Sequence, residues 1–250
     1  MIVLVTGATS GIGKATAEAF AKLKYSLIIT GRRNDRLLRL KDMLESKYDI
    51  DVMALCFDVR NKDEVEAALG SLDSKWQEID ILINNAGLAV GKEPLQEGSF
   101  DDWERMIDTN IKGLLYVTRN VLPLMCKRKR GHIVNICSIA GKEVYAGGGV
   151  YCASKSAVNA LSQSIRIDAV PFGIKVTNIC PGAVETEFSI VRFKGDEDKA
   201  ASTYKGFEPL TAEDVASTIV YCTTLPPNVN INDLVLMPTA QATATIFHKE

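Results

Sequence analysis

Short runs of apolar, largely β-branched residues alternate along this chain with longer stretches of helical period, and that alternation limits the folds open to it. The runs predicted as strands are Ile2 to Thr6, Ser26 to Thr30, Val52 to Phe57, Ile79 to Ile83, His132 to Ile136, Lys175 to Ile179 and Leu234 to Met237. Helical patterns occupy Lys14 to Leu23, Asp35 to Lys47, Lys62 to Leu72, Phe100 to Arg128, Tyr151 to Val170 and Ala212 to Leu225. The strand runs are apolar throughout, as strands covered on both faces must be. Strands joined by helix-length crossovers form parallel βαβ units in an open sheet. No Pro- or Gly-rich linker, repeat or low-complexity stretch divides the 250 residues, so residues 1–250 read as one α/β domain.

Composition removes several function classes. Lys plus Arg number 29 against 31 Asp plus Glu, a net charge of -2. That leaves no basic excess to grip a phosphate backbone, and no nucleic-acid partner is expected. No run of 18 apolar residues is present to span a membrane. With 46% hydrophobic residues the chain is not a disordered one. Met1 leads directly into Ile2-Val3-Leu4-Val5, which reads as a buried strand rather than a signal peptide. The six cysteines are scattered and read as reduced thiols, so a cytoplasmic protein is expected. With two histidines, His132 and His248, and no Cys-x-x-Cys, no metal site is expected.

Two segments break the pattern. Ala140 to Val150 is rich in glycine, and Pro181 to Thr211 runs about thirty residues without a strong period. Both follow strands, and open α/β sheets bind ligands beyond the carboxyl ends of their strands. They are the expected walls of a pocket, with residues 181–211 as its substrate loop.

The first strand ends in Thr6-Gly7-Ala8-Thr9-Ser10-Gly11-Ile12-Gly13, ahead of a helix. Glycines at such a turn let the backbone approach a pyrophosphate, and the helix start offers free N–H groups. The spacing is Gly-x-x-x-Gly-x-Gly rather than Gly-x-Gly-x-x-Gly, and a purely structural turn would look similar. The second strand ends in Thr30-Gly31-Arg32-Arg33, where an NAD-binding fold usually carries a carboxylate for the ribose hydroxyl. Two guanidinium groups there suit the 2′-phosphate of NADP, although arginines also open solvated helices, and Asp35 stands near enough to neutralise part of the pair. Asp58 ends the third strand, where an adenine amino group could donate to it. Asn84 and Asn85 end the fourth, where buried amides need partners.

Tyr151 and Lys155 lie four residues apart on one helical face, so a lysine cation would lower the phenol pKa towards a working acid/base. Ser138, just past the fifth strand, adds a hydroxyl for the same carbonyl or serves as a turn cap.

Taken together, Thr6-Gly7-x-x-x-Gly11-x-Gly13, Asn84-Asn85-Ala86-Gly87, Asn110, Ser138, Tyr151-x-x-x-Lys155 and Pro181-Gly182 resemble the short-chain dehydrogenase/reductase family in order and spacing. The resemblance implies a Rossmann fold with a seven-stranded parallel sheet flanked by helices, and hydride transfer between NADP(H) and an alcohol or ketone. It implies that Tyr151 is the acid/base and that Ser138 holds the substrate oxygen. Lys155 would bond the nicotinamide ribose, and Asn110 would hold a water linking Lys155 to solvent. Cofactor contacts would come from Gly7, Ala8, Thr9, Ser10, Gly11, Ile12, Arg32, Arg33, Asp58, Val59, Asn85, Ala86, Gly87, Tyr151, Lys155, Pro181, Gly182, Ala183, Val184 and Thr186.

Within the family the chain is similar to the NADP-dependent 3-hydroxy acid dehydrogenases acting on serine and allo-threonine. Gly31-Arg32-Arg33, Tyr145-Ala146-Gly147-Gly148 and Val191-Arg192-Phe193-Lys194-Gly195-Asp196 carry that likeness. It implies a small-molecule substrate, such as serine, allo-threonine or 3-hydroxypropanoate, and a homotetramer. Glu185, after Pro181-Gly182, departs from the family loop, as do Cys137 and Cys152 beside Ser138 and Tyr151. The substrate carboxylate needs a cation, for which Arg192 is the first choice and Lys194 the second. The alternatives are a general carbonyl reductase, a 3-oxoacyl-carrier-protein reductase docking its carrier on Lys127-Arg128-Lys129-Arg130, and a non-catalytic NADP sensor.

Overall fold

The computed structural model describes residues 1–250. Seven parallel strands form one sheet: β1 (Ile2–Val5), β2 (Ser26–Gly31), β3 (Val52–Cys56), β4 (Ile79–Asn84), β5 (His132–Ile136), β6 (Lys175–Pro181) and β7 (Asp233–Leu236). Their spatial order is β3-β2-β1-β4-β5-β6-β7, with every neighbouring pair parallel. The order reverses direction between β1 and β4, and an open sheet binds its ligand at such a switch point.

Helices cover both faces. On one lie α1 (Gly11–Lys22) and α2 (Asn34–Tyr48), and on the other α3 (Lys62–Gly70). The second face continues through α4 (Phe100–Ile107), α5 (Leu114–Arg128) and α6 (Gly149–Ala169). Successive strand residues point to opposite faces, which splits the core in two. Leu4, Ile28, Leu82 and Ile133 face α5 and α6, whereas Val3, Val5, Ile29, Ile81 and Ile83 face α1 and α2. Each such fully buried aliphatic side chain stabilises the fold by about 1.5–3 kcal/mol.

The sheet's β4–β7 half also carries a polar row. Asn84, Asn135, Asn178 and Asp233 pair in register across four strands. Asn84 Nδ2 donates to Asn135 Oδ1 at 2.9 Å, Asn135 Nδ2 to Ser162 Oγ at 2.9 Å, and Asn178 Nδ2 to Asp233 Oδ1 at 2.8 Å. Buried amides are costly without partners, and here they tie β4 to β5, β5 to α6 and β6 to β7.

Three readings of the sequence change. The stretch expected as one helix from Phe100 to Arg128 winds as a π-helix over Asp108–Gly113, between α4 and α5. The substrate loop holds two short helices, α7 (Phe188–Arg192) and α8 (Glu197–Ser202), ahead of α9 (Ala212–Thr224). Helices this short leave no periodic signal. The basic run closing α5 also folds back on the chain. Arg128 Nη1 and Arg130 Nε lie 3.4 and 3.2 Å from the buried Asp80 carboxylate. No helix is long and apolar enough to cross a membrane.

Candidate active site

The glycine turn forms where β1 runs into α1. Gly7 and Gly11 adopt φ of 66° and 50°, in the left-handed region that a Cβ disfavours. At Gly13 a Cβ would collide with the Asn85 amide and the Gly7 carbonyl. Asn85 is bound into this turn, its Nδ2 donating to the Thr6 carbonyl at 2.8 Å, while Thr6 Oγ1 accepts the N–H groups of Asn85 and Ala86 at 3.0 Å. The second asparagine thus locks β4 to the phosphate turn, and Gly87 follows it.

The start of α1 is open, unlike those of α3 and α9. Asn61 caps α3 and a Thr211–Asp214 capping box closes α9, each with acidic residues in the first turn. Ser10 makes no side-chain cap and no acidic residue follows it. The free N–H groups and positive dipole end at Gly11, Ile12 and Gly13 therefore fit a phosphate. Ala8, Thr9 and Ser10 line the approach, and Arg33 Nη2 donates to Thr9 Oγ1 at 3.0 Å and Ser10 Oγ at 3.1 Å.

The arginine pair is balanced differently from the expectation. Asp35 pairs with Arg39 at 2.5 Å, not with Arg32 or Arg33. Arg32 lies 3.7 Å from Asp58, whose carboxylate also takes Arg60 at 2.6 Å; these guanidinium groups hold Asp58 below the usual carboxylate range against the opposing effect of burial. Val59 packs beside it against Gly113. Arg33 and Arg36 both reach Glu187, at 3.3 and 3.0 Å, across the groove. Glu187 and Arg36 escaped the sequence reading because their partners are remote in the chain, and Glu187 is likewise held low by the two cations.

Past β6, Gly182, Ala183, Val184 and Thr186 lead the chain back over the groove. Ala183 N–H donates to Gln241 Oε1 at 2.8 Å, and Thr186 touches the space in front of Gly11. Gln241, buried in the C-terminal segment, was not anticipated. Glu185 is exposed, with its N–H bonded to the Leu210 carbonyl at 2.9 Å.

Beneath this rim, β5 and α6 bring Ser138, Tyr151 and Lys155 together. Tyr151 is 8% exposed and Lys155 is 5% exposed. Ser138 does cap a turn, accepting the Ala140 N–H at 3.1 Å, and its hydroxyl also lies beside the Tyr151 phenol. Lys155 Nζ donates to the Ile136 carbonyl at 2.9 Å and stands 6.0 Å from the Tyr151 ring centre. The Lys155 ammonium thus lies over the face of the Tyr151 ring while its hydrogen bond goes to the backbone. Burial pushes the Tyr151 pKa up, and Ser138 and the Arg192 guanidinium pull against it. Burial also pushes Lys155 down.

Asn110 sits in the π-helical turn. Its Oδ1 accepts the Leu88 N–H at 2.9 Å, and its Nδ2 donates to Leu88 O and Ser154 Oγ, each at 2.9 Å. The carboxamide is thus fully engaged by protein groups, which fixes the π-helical turn against Leu88 and Ser154. Gly87 brings it near Lys155, since a Cβ there would lie 3.3 Å from both Asn110 Oδ1 and Lys155 Nζ.

The two candidate cations of the substrate loop part company. Lys194 Nζ lies 2.7 Å from Asp102 on α4, which pairs it away from Tyr151. The Arg192 guanidinium stacks over Tyr145 at 5.5 Å and over Tyr151 at 5.8 Å from the ring centres. Its Nε and Nη2 are shut off from solvent without a hydrogen-bond partner. Those two atoms form one edge of the guanidinium fork, the edge that grips a planar oxyanion with two parallel bonds.

Known proteins share this sequence and fold. The profile of the short chain dehydrogenase family matches residues 1–197. An NADP-dependent 3-hydroxy acid dehydrogenase YdfG from Escherichia coli (strain K12) is 50% identical over 245 residues, covering 98% of this chain and 97% of that protein. A sulfoacetaldehyde reductase 2 from Chromohalobacter salexigens is 45% identical over 242 residues, covering 96% and 95%. A solved closed form of a serine dehydrogenase complexed with NADP+ superposes over 100% of both chains, with a TM-score of 0.93 and 49% identity. Sequence motifs, sheet order and site geometry converge: the chain belongs to the short-chain dehydrogenase family.

Proposed function

We propose that this protein is an NADP(H)-dependent dehydrogenase of short 3-hydroxy acids, with serine, allo-threonine and 3-hydroxypropanoate as substrates. The carrying observation is the unpaired Arg192 edge above the Tyr151 ring. A buried guanidinium with two empty donors is costly to leave alone, and a substrate carboxylate satisfies both. Relatives named for NADP-dependent oxidation of 3-hydroxy acids support the same reading.

The cofactor-binding residues are those of the rim. The α1 start and the Gly7–Ile12 turn hold the pyrophosphate, and Arg32 and Arg33 hold the 2′-phosphate. Asp58 and Val59 border the adenine, Asn85, Ala86 and Gly87 the ribose side, and Pro181, Gly182, Ala183, Val184 and Thr186 the nicotinamide. When bound, the nicotinamide supplies the hydride chemistry that no side chain of the protein can. In oxidation, Arg192 orients the acid by its carboxylate and Ser138 donates a hydrogen bond to the 3-oxygen. Tyr151 accepts the hydroxyl proton as its phenolate, a form favoured by the neighbouring Lys155 and Arg192 cations, and in reduction its phenol gives that proton to the carbonyl oxygen. Lys155, deep beneath Gly87, holds the ribose beside Tyr151, and Asn110 keeps the backbone at Leu88 in place.

The guanidinium edge accepts sulfonate oxygens as readily as carboxylate oxygens, and a relative is named a sulfoacetaldehyde reductase. Reduction of short sulfonated aldehydes is accordingly the second reading. A docked carrier protein has less support, because Arg128 and Arg130 engage Asp80. Six unpaired cysteines support a reducing, cytoplasmic setting. A homotetramer is supported by Ile107 and Leu115, which stay exposed, whereas Met106, Leu114, Val121, Val158 and Ile165 are core.

The direct test follows NADPH absorbance with each hydroxy acid and with NADP+ or NAD+. Turnover of the acids with NADP+ and little with NAD+ is expected. Silence towards all three acids, with NADPH-dependent reduction of sulfoacetaldehyde, would select the second reading.

A further inference from the structure

We infer that Asp102 and Lys194 form a latch that positions Arg192 for the anionic end of the substrate. The inference rests on the reading of Arg192 given above and assigns a task to two residues outside the reacting groups.

Helix α7 has five residues, too few to hold itself by its own hydrogen bonds. Arg192, its last residue, must therefore be fixed from outside. One fixing point is backbone, since the Gly91 N–H donates to the Arg192 carbonyl at 2.9 Å. The other lies two residues on. Lys194 and Gly195 take φ of 55° and 92°, and the left-handed turn closes with Gly195 N–H donating to the Ile190 carbonyl at 2.9 Å. This is a left-handed helix cap of the kind that Lys129 forms after α5, and it sets the direction in which the Lys194 side chain leaves the loop. Its chain leaves the substrate side and reaches Asp102 Oδ2 at 2.7 Å.

Asp102 is 7% exposed, unusually deep for a carboxylate, and it is the third residue of α4. A carboxylate at that depth needs a partner, and the half-exposed Lys194 ammonium supplies it. The ion pair with Asp102 raises the Lys194 pKa, so the cation persists over the working pH range. An open cleft lined by Ser99, Arg105, Ile190 and Val191 flanks the pair. On that side the ion pair bridges a gap rather than a packed interface. The latch thus ties the loop carrying Arg192 to α4.

The test compares Lys194→Met, Lys194→Arg and Asp102→Asn with the wild-type enzyme. In Lys194→Met and Asp102→Asn, KM for serine and 3-hydroxypropanoate should rise about tenfold with kcat changed less than about twofold. KM for NADP+ and the reduction of a neutral short aldehyde should hold, and Lys194→Arg should restore the serine KM. An unchanged serine KM would overturn the latch, and so would a KM for NADP+ that rises in parallel. A crystal structure of Lys194→Met reads the latch without any substrate. The guanidinium leaves the Tyr145 and Tyr151 rings if the latch positions it, and stays if it does not. Wild-type silence towards hydroxy acids would strike only the functional reading, and the guanidinium position would still decide the latch.

Discussion

The two halves of the groove are built on opposite electrostatic plans. On the cofactor side the charged groups are at the surface and paired: the Arg32 side chain is 52% exposed beside Asp58, and the Arg33 side chain is 41% exposed beside Glu187. On the substrate side they are buried and only partly paired, with Tyr151, Lys155 and the Arg192 edge beneath the loop. Exposed pairs each contribute little and can exchange partners at small cost. A buried donor without a partner is a standing demand for one ligand chemistry. The rim is thus suited to exchanging a cofactor and the floor to selecting a substrate.

Changes on the two sides should therefore read out differently. The largest effect belongs to the floor. Tyr151→Phe should lower kcat on the order of a thousandfold while leaving NADP+ binding, followed by fluorescence titration, intact. A comparable loss of cofactor binding would erase the distinction between the halves. Next comes the rim: Arg33→Ser should raise KM for NADP+ about tenfold and leave KM for NAD+ unchanged, so the preference narrows without loss of kcat. Equal rises for both nucleotides would place Arg33 on a shared phosphate rather than the 2′-phosphate.

Acid should attack the halves in different windows. His132, on β5 of the substrate half, is held neutral by burial, its pKa pushed down from 6.5 to about 3. The unfolded chain takes up a proton below pH 6.5 that the folded one refuses, so stability should fall from pH 6.5 towards 3. Asp58 and Glu187 on the rim have carboxyl groups held low, and their contribution is lost only as pH falls below the ordinary carboxylate range. Thermal melts of His132→Gln should be flatter between pH 6.5 and 4.5 than those of the wild type. Parallel slopes would remove His132 from the account.

What the sequence made legible follows the same division. The glycine turn, Asn85, Ser138 and the Tyr151–Lys155 pair lie within short motifs whose backbone geometry is local, so their placement could be anticipated. Partners set by tertiary approach could not. Glu187 meets Arg33 and Arg36 only because the chain after β6 crosses the groove, and Gln241 meets Ala183 only because the C-terminal segment folds back. Arg192 ranked ahead of Lys194 in sequence, but nothing local showed that the two would point apart. A five-residue helix and a left-handed turn send one inward and the other to Asp102. The π-helical turn at Asn110 was hidden because a single wide turn hardly disturbs a 3.6-residue period. Helix α8 had a local signal in Asp196, which caps it by accepting the Lys199 N–H at 3.0 Å.

The unpaired Arg192 edge is what would select an anionic substrate for Tyr151. The most direct measurement is kcat/KM of Arg192→Met for serine oxidation, set beside its reduction of a neutral short aldehyde. A fall of roughly a hundredfold for serine is expected, with the neutral aldehyde little changed. Retained serine turnover, or an equal loss on both substrates, would contradict it.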